Sequence, residues 1–210
     1  MENYFLFVLM CIFLIILPGP DTAIVTKNTL FSRRIGGLKT SLGIICALLF
    51  HTFAAVVGLS AIIVKSAILF SIFKYAGAIY LIYLGMKILW SLIKKDDAPT
   101  VEINTKHQSE NRSCFKQGFL TDLLNPKVAI FFLSFFPQFV EPGGDTFFPF
   151  LLMGITFTVL SAIWLFIYVY LINVISAIMK KPLAKNLIEG ITGTIIIGFG
   201  IKLALEKANN

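Results

Sequence analysis

The sequence predicts an all-α membrane protein, whose six transmembrane helices form two inverted three-helix repeats with broken helices 1 and 4. Three observations lead to this prediction: an apolar composition, six apolar stretches, and two matched helix breaks. Of the 210 residues, 57% are hydrophobic and 14% are charged, against roughly 25% charged in an average soluble domain. We therefore expect one transmembrane domain over residues 1–210 and no separate soluble domain.

Six segments are long enough to span a membrane, since a helix needs about 20 apolar residues to cross the hydrocarbon core. They are residues 4–30, 39–64, 67–92, 116–140, 147–173 and 187–206. Residues 1–92 then form repeat one, and residues 116–210 form repeat two. The polar segment 93–115 between them is expected to be a loop.

Charge distribution predicts the orientation. The loops after spans 1, 3 and 5 hold most of the basic residues, whereas "EPGGD" between spans 4 and 5 is acidic. The positive-inside rule places the three basic loops in the cytoplasm and both termini outside. Topology thus accounts for the formal net charge of +7, and no nucleic-acid partner is predicted.

The two halves repeat short stretches in the same order. "LPGPDTAIV" (17–25) aligns with "LLNPKVAIF" (123–131) at an offset of 106 residues, and "LGMKIL" (84–89) aligns with "FGIKLA" (199–204) at an offset of 115. Three spans per repeat is an odd number, so the halves enter the membrane from opposite faces, as in many secondary transporters. The alternative is that Gly and Pro, which are frequent in membrane helices, match by chance.

The aligned prolines predict a helix break and a restart in each repeat. Proline removes a backbone hydrogen bond inside a helix but suits the first helical position, where Pro20 and Pro126 would stand. Gly19 and Asn125 precede them as helix caps. Each restart presents free N–H groups and a positive dipole end, which favour an anion such as a carboxylate.

Asp21 and Lys127 occupy equivalent positions after the two breaks. A charge at bilayer depth costs at least about 2.5–3.5 kcal/mol, so we expect the two side chains to pair or to be bridged by substrate. An amino-acid zwitterion carries the same two charges, with its ammonium group suited to Asp21 and its carboxylate to Lys127. The alternative is that Asp21 only caps its helix and that Lys127 extends to the cytoplasmic interface.

Four stretches resemble a known family in order and over nearly the whole chain. They are "LPGPDTAIVTKNTL" (17–30), "LGIICALLFHTFAAVVGLSAII" (42–63), "FKYAGAIYLIYLGMKIL" (73–89) and "FKQGFLTDLLNPKVAIFFLSFFPQFV" (115–140). The chain resembles the LysE/RhtB family of amino-acid exporters. The resemblance implies a six-helix carrier in the bacterial cytoplasmic membrane that expels small amino acids or relatives such as homoserine. It also implies proton antiport with alternating access, with the proton as coupling ion and no cofactor.

The resemblance also places the family's motif positions on this chain. They are Pro18, Gly19, Pro20, Asp21, Gly43, His51, Asn125, Pro126, Lys127 and Gln138. One position departs from the pattern: Leu48 stands where members often carry an acid three residues before the histidine. Members also often carry Asn at the position of Asp21.

Three further polar residues are secondary candidates. His51 either titrates near physiological pH, as a proton carrier needs, or simply packs. Asp122 precedes the second break by one turn and lies beside the cavity or near the cytoplasmic mouth. Thr22 either lines a polar path or bonds its own backbone.

No nucleophile with a placed base is visible, so we do not expect an enzyme, and an intramembrane enzyme is the less favoured alternative. A three-plus-three cation or metal exporter is the other alternative, although metal transport would need more acidic, His or Cys ligands. Oligomeric state stays open.

Overall fold

A computed structural model describes residues 4–59, 67–94, 113–140, 146–179 and 182–205. All regular structure within these ranges is helical, which confirms the all-α class. The helices are α1 (Tyr4–Ile16), α2 (Pro20–Ala54), α3 (Ala67–Lys94), α4 (Cys114–Leu123), α5 (Pro126–Ile130), α6 (Phe147–Met179) and α7 (Pro182–Leu205). A π-helical turn follows α2, and a π-helical turn and a 3-10 turn (Phe136–Phe139) follow α5. Most of the predicted loop 93–115 lies outside the described residues.

By length and composition, two described helical segments can cross a membrane: Phe147–Ile172, and Pro20–Gly58, which is interrupted at Ser32 and Arg33. A third is formed if Cys114–Leu123 and Pro126–Phe139, bent by 45° at their break, count as one span. The helices α3 and α7 lie where the third and sixth spans are predicted and have 28 and 24 residues. The arrangement of six spans as inverted repeats stays a prediction.

The chain reverses direction inside α2. Ser32 (φ −113°, ψ 20°) and Arg33 (φ 56°, ψ −166°) have non-helical backbone angles. Asn28 Nδ2 donates a hydrogen bond to Thr40 Oγ1 at 2.8 Å, although a straight helix would separate positions 28 and 40 by about 18 Å. The predicted basic turn between spans 1 and 2 is therefore a sharp helical reversal, and residues 20–31 lie beside the start of residues 34–54.

Two glycines bring α2 and α4 into backbone contact. A Cβ on Gly43 would meet the carbonyl oxygen of Phe115, and a Cβ on Gly118 would meet the carbonyl oxygen of Thr40. Small residues permit such close approach between membrane helices, where van der Waals packing drives association. Gly43, a predicted site residue, is thus positioned as a packing residue.

A second close contact joins α3 to α7, which run antiparallel. A Cβ on Gly85 would meet Ile197, and a Cβ on Gly200 would meet Ile82. Both glycines and both isoleucines are related by the same offset of 115 residues, so the contact pairs equivalent positions of the two predicted repeats. This offset equals the one that aligns "LGMKIL" with "FGIKLA".

Phenylalanine rings join α1 to the segment 131–139 and to α6. The Phe7 ring lies 5.9 Å from Phe135 and 5.3 Å from Phe139, centroid to centroid. The Phe131 ring lies 4.8 Å from that of Phe157 in α6. Aromatic pairs contribute about 0.5–1.5 kcal/mol each beyond the burial of their area. This cluster therefore fixes the short helix α1 against the second repeat.

Candidate functional site

Both helix breaks lie where the prolines predict them. Pro20 is the first residue of α2 and Pro126 the first residue of α5. The caps differ, because the Asn125 side chain accepts a hydrogen bond from the backbone N–H of Lys127 at 3.1 Å, whereas Gly19 provides no side-chain cap. The second restart is therefore the better capped one.

A cavity of about 50 Å³ lies between the two breaks and α6. It is lined by Leu14, Ile15, Leu17, Gly19, Asp21, Thr22, Ile44, Leu48, Asp122, Lys127, Val128, Phe157, Ser161, Trp164 and Leu165. A water molecule needs about 10–15 Å³ by this measure, so the cavity has room for a few waters. Pockets that bind small molecules measure roughly 300–1,000 Å³. The helices must therefore separate before the cavity can hold an amino acid.

Asn125 links the two breaks. Its Nδ2 donates to Asp21 Oδ2 at 2.9 Å, while its Oδ1 accepts the backbone N–H of Lys127. The Asn125 side chain is buried, with 3% of the residue exposed. The two amide atoms thus hold an acid of the first repeat beside the helix start of the second.

Lys127 lines the same cavity as Asp21, but its ammonium does not pair directly with that carboxylate, and the other predicted arrangement, a bridge through substrate, stays a prediction. Among the described residues, an ion pair within 4.0 Å joins His51 to Asp122. Lys127 Nζ instead donates to the carbonyl oxygens of Leu14 at 2.9 Å and Leu17 at 3.3 Å. The reason is physical: the end of α1 leaves backbone carbonyls without helical partners, and a lysine is long enough to bind them. Asp21 and Asp122 remain close enough to attract its ammonium electrostatically.

Asp122 lies on the cavity and is only 1% exposed. It interacts electrostatically with Asp21. His51 Nε2 lies 4.0 Å from Asp122 Oδ2 and 3.4 Å from its carbonyl oxygen, and the His51 ring stacks on Phe132 at 5.5 Å. His51 is therefore a neighbour of the cavity's acid, although it does not line the cavity itself.

Four buried polar atoms of cavity residues have no hydrogen-bond partner within the described protein. They are Asp21 Oδ1, both carboxylate oxygens of Asp122, and Trp164 Nε1. An unsatisfied buried polar group costs about 1–3 kcal/mol. Acceptors and a donor of this kind around one cavity indicate a binding site for a ligand that has both donors and acceptors.

The remaining predicted residues lie at the edge of this site or outside it. Thr22 lines the cavity, and its carbonyl oxygen accepts from the Thr26 hydroxyl at 2.7 Å. Pro18 is exposed at the first break, and Gln138 is partly buried in the 3-10 turn; neither lines the cavity.

The sequence interpretation missed the wall that α6 provides. Phe157, Ser161, Trp164 and Leu165 line the cavity and follow the i, i+4, i+7, i+8 spacing of one helix face. That spacing was visible in the sequence. It could not reveal what the face meets, because α6 is apolar on all sides.

Paired helix breaks that enclose buried charged side chains inside a bundle of apolar helices define a membrane carrier. The comparison with known families agrees with this class, because residues 12–207 match the family model described as LysE type translocator. The chain belongs to the LysE type translocator family, whose members are transporters rather than enzymes.

Three relatives illustrate the similarity. The chain is 36% identical over 197 residues to the "Uncharacterized membrane protein YrhP" of Bacillus subtilis, covering 92% of this chain and 94% of that protein. It is 30% identical over 191 residues to an "Uncharacterized membrane protein" of Vibrio cholerae, covering 91% of each. It is 30% identical over 209 residues to the "Leucine efflux protein" of Salmonella typhimurium, covering 96% of this chain and 94% of that protein. No solved structure matches the chain.

Proposed function

We propose that this protein exports neutral aliphatic amino acids of the leucine type across the bacterial cytoplasmic membrane by proton antiport. The observation that carries the proposal is a set of buried atoms around the cavity that form no hydrogen bond within the described protein: carboxylate oxygens of Asp21 and Asp122, and the indole N–H of Trp164. An amino-acid zwitterion offers an ammonium group to the carboxylate oxygens and a carboxylate to the indole N–H. Relatives named "Leucine efflux protein" that are 29–30% identical add support.

The cavity walls favour an uncharged side chain. Ile44, Leu48, Phe157 and Leu165 contribute apolar surface, and burying aliphatic groups against such surface is favourable by about 0.8 kcal/mol per methylene. The cavity's cationic side chain is Lys127, whose attraction directs the substrate carboxylate toward the second break. A substrate with a charged side chain would place that charge against these apolar walls, because Asp21, Asp122 and Lys127 are taken up by the ammonium and carboxylate groups of the substrate.

The charges at the cavity support proton coupling. Asp21 and Asp122 face the single ammonium group of Lys127, so the three groups are neutral together when one carboxyl group holds a proton. The ammonium group of an arriving amino acid competes with that proton for the carboxylates, while the substrate carboxylate lies toward Lys127 and the indole N–H of Trp164. Substrate binding then releases a proton, and proton binding from the other side releases the substrate. His51 contacts Asp122 and lies where it can relay the proton.

The alternating access of this proposal rests on the inverted repeat. The α3–α7 contacts pair equivalent positions of the two predicted repeats at an offset of 115 residues, as expected for two inverted halves. The backbone contacts at Gly43 and at Gly118 hold α2 close to α4. Residues 43 and 118 lie near the predicted cytoplasmic ends of spans 2 and 4, so we expect separation of this contact to open the cavity to the cytoplasm.

Efflux from proteoliposomes tests the proposal. Purified protein is reconstituted with internal leucine, threonine, lysine or glutamate, and efflux is followed with and without an imposed pH gradient. We expect fast leucine efflux that a proton ionophore reduces, and slow efflux of lysine and glutamate. Absence of efflux for every amino acid would reject the function, and leucine efflux that ignores the gradient would reject proton coupling alone.

A separate substitution tests the role of the indole N–H. Trp164→Phe keeps an aromatic ring and removes the donor, so we expect the apparent affinity for leucine to fall about tenfold, as for loss of a hydrogen bond to a charged group. The matched control is Trp90→Phe, because Trp90 is 62% exposed on α3 and lies outside the cavity. Unchanged affinity in Trp164→Phe would remove the indole from the carboxylate site.

A further inference from the structure

The ammonium group of Lys127 binds backbone oxygens rather than a carboxylate. Its Nζ lies 2.9 Å from the carbonyl oxygen of Leu14 and 3.3 Å from that of Leu17. Leu14 belongs to the last turn of α1, which ends at Ile16, and Leu17 is the first residue of the break. Lys127 is 113 residues away from Leu14 in the chain. The contact therefore holds the end of one repeat's broken helix with a charge from the other repeat.

These carbonyl oxygens need a cationic partner. The last carbonyls of a helix have no intrahelical donors, and the C-terminal end of a helix carries a partial negative charge. Inside a membrane, such groups are tolerated only where protein or a wet cavity satisfies them. The nearby carboxylates of Asp21 and Asp122 attract the same ammonium and retain oxygens that accept no hydrogen bond from the described protein.

The surroundings of Nζ are therefore those of a cation site. Carbonyl and carboxylate oxygens are the ligands of hard cations, and in transporters with broken helices the carbonyls at half-helix ends coordinate small monovalent cations. Gly19 leaves room beside the site, since even a Cβ at that residue would lie 3.7 Å from Nζ. Asp122, with 1% of its surface exposed, has carboxylate oxygens that accept no hydrogen bond from the described protein, while its Oδ2 lies 4.0 Å from His51 Nε2.

We propose that Lys127 is a tethered cation that fills a monovalent-cation site formed by the end of α1, Asp21 and Asp122. The protein thus transports without an inorganic cation. Removal of the ammonium leaves a site that accepts Na⁺ or methylammonium. This inference deepens the proposed function. The efflux experiment below rests on that function, whereas the thermal-unfolding experiment does not.

Thermal unfolding of Lys127→Met in NaCl, methylammonium chloride and choline chloride tests the site directly. We expect a lower melting midpoint in choline than for the wild type, and a saturable rise of several degrees with Na⁺ or methylammonium, because a ligand that binds only the folded state stabilises it. The wild type and Lys116→Met should unfold at the same temperature in NaCl and in choline chloride, since Lys127 fills the site in both and Lys116 is exposed on α4. A Lys127→Met protein indifferent to Na⁺ and methylammonium overturns the inference.

If Lys127→Met does not fold in choline, cation binding is measured instead as a higher yield of folded protein in NaCl than in choline. Lys127→Gln is the second variant, because its neutral side chain still donates to a carbonyl. Leucine efflux by either variant is expected to be low in choline and partly restored by Na⁺ or methylammonium. Efflux equal to wild type in choline overturns the tethered-cation role. A wild type that exports no amino acid, together with cation-dependent stability of Lys127→Met, would reject the proposed function and leave the cation site standing.

Discussion

Asp21→Asn is expected to remove most leucine efflux while the protein stays folded. The substituted amide keeps an oxygen that accepts from Asn125, the hydrogen bond that Asp21 Oδ2 now accepts at 2.9 Å, so the link between the two breaks survives. It loses the negative charge that would bind the substrate ammonium. A hydrogen bond to a charged group contributes about 1.5–3 kcal/mol, which corresponds to roughly a ten- to hundredfold loss of efflux rate.

The matched control for this prediction is Glu189→Gln. Glu189 is a buried carboxylic acid with 7% of its surface exposed, and it does not line the cavity. Its replacement should leave efflux within a few-fold of wild type. Both variants are measured in proteoliposomes, with thermal unfolding as the check on folding. An Asp21→Asn protein with wild-type efflux would mean that Asp21 serves only to accept the hydrogen bond from Asn125, which an amide oxygen also accepts.

Gly118→Ala is expected to destabilise the protein strongly. The added Cβ would collide with the backbone carbonyl of Thr40, which cannot rotate away as a flexible side chain can. Overpacking costs about 1–3 kcal/mol or more, which exceeds the gain of about 1 kcal/mol that Ala gives over Gly in a helix. The measurement is the thermal unfolding midpoint in detergent or lipid, and Gly43→Ala should behave in the same way.

Gly198→Ala is the internal control for this packing prediction. A Cβ at Gly198 in α7 would meet nothing within 4 Å, so the same chemical change adds helix propensity without a collision. We expect an unchanged or slightly higher midpoint. If Gly118→Ala unfolds at the wild-type temperature, α2 and α4 do not approach each other as closely as described.

Local chemistry made the helix breaks predictable. Proline fixes its own backbone and lacks an N–H, so the positions of Pro20 and Pro126 as first helical residues follow from the chain alone. The capping role of Asn125 follows in the same way. Apolar composition likewise predicts membrane helices, because a charged or irregular segment is costly in lipid. The basic loop after span 1 was also predicted, although the sharp reversal at Arg33 was not.

The partners of the charged residues were only partly predictable. Alignment of the repeats places Asp21 and Lys127 on one cavity, yet it cannot reveal that the Lys127 ammonium binds carbonyl oxygens of α1. Such acceptors belong to the backbone and leave no trace in residue identities. The family motif similarly includes Gly43, whose role as a contact with Phe115 depends on the approach of α4.

The sequence by itself determined a helical membrane protein of the LysE type translocator family, two proline breaks, and the chemical groups placed beside them. Only the tertiary structure decided which groups meet. Asn125 and Asp21 are 104 residues apart in the chain and form a hydrogen bond of 2.9 Å, and the α6 residue Trp164 closes the same cavity. The physical reason is that local propensities fix each helix, whereas the distances between helices depend on how glycines and aromatic rings let their surfaces pack.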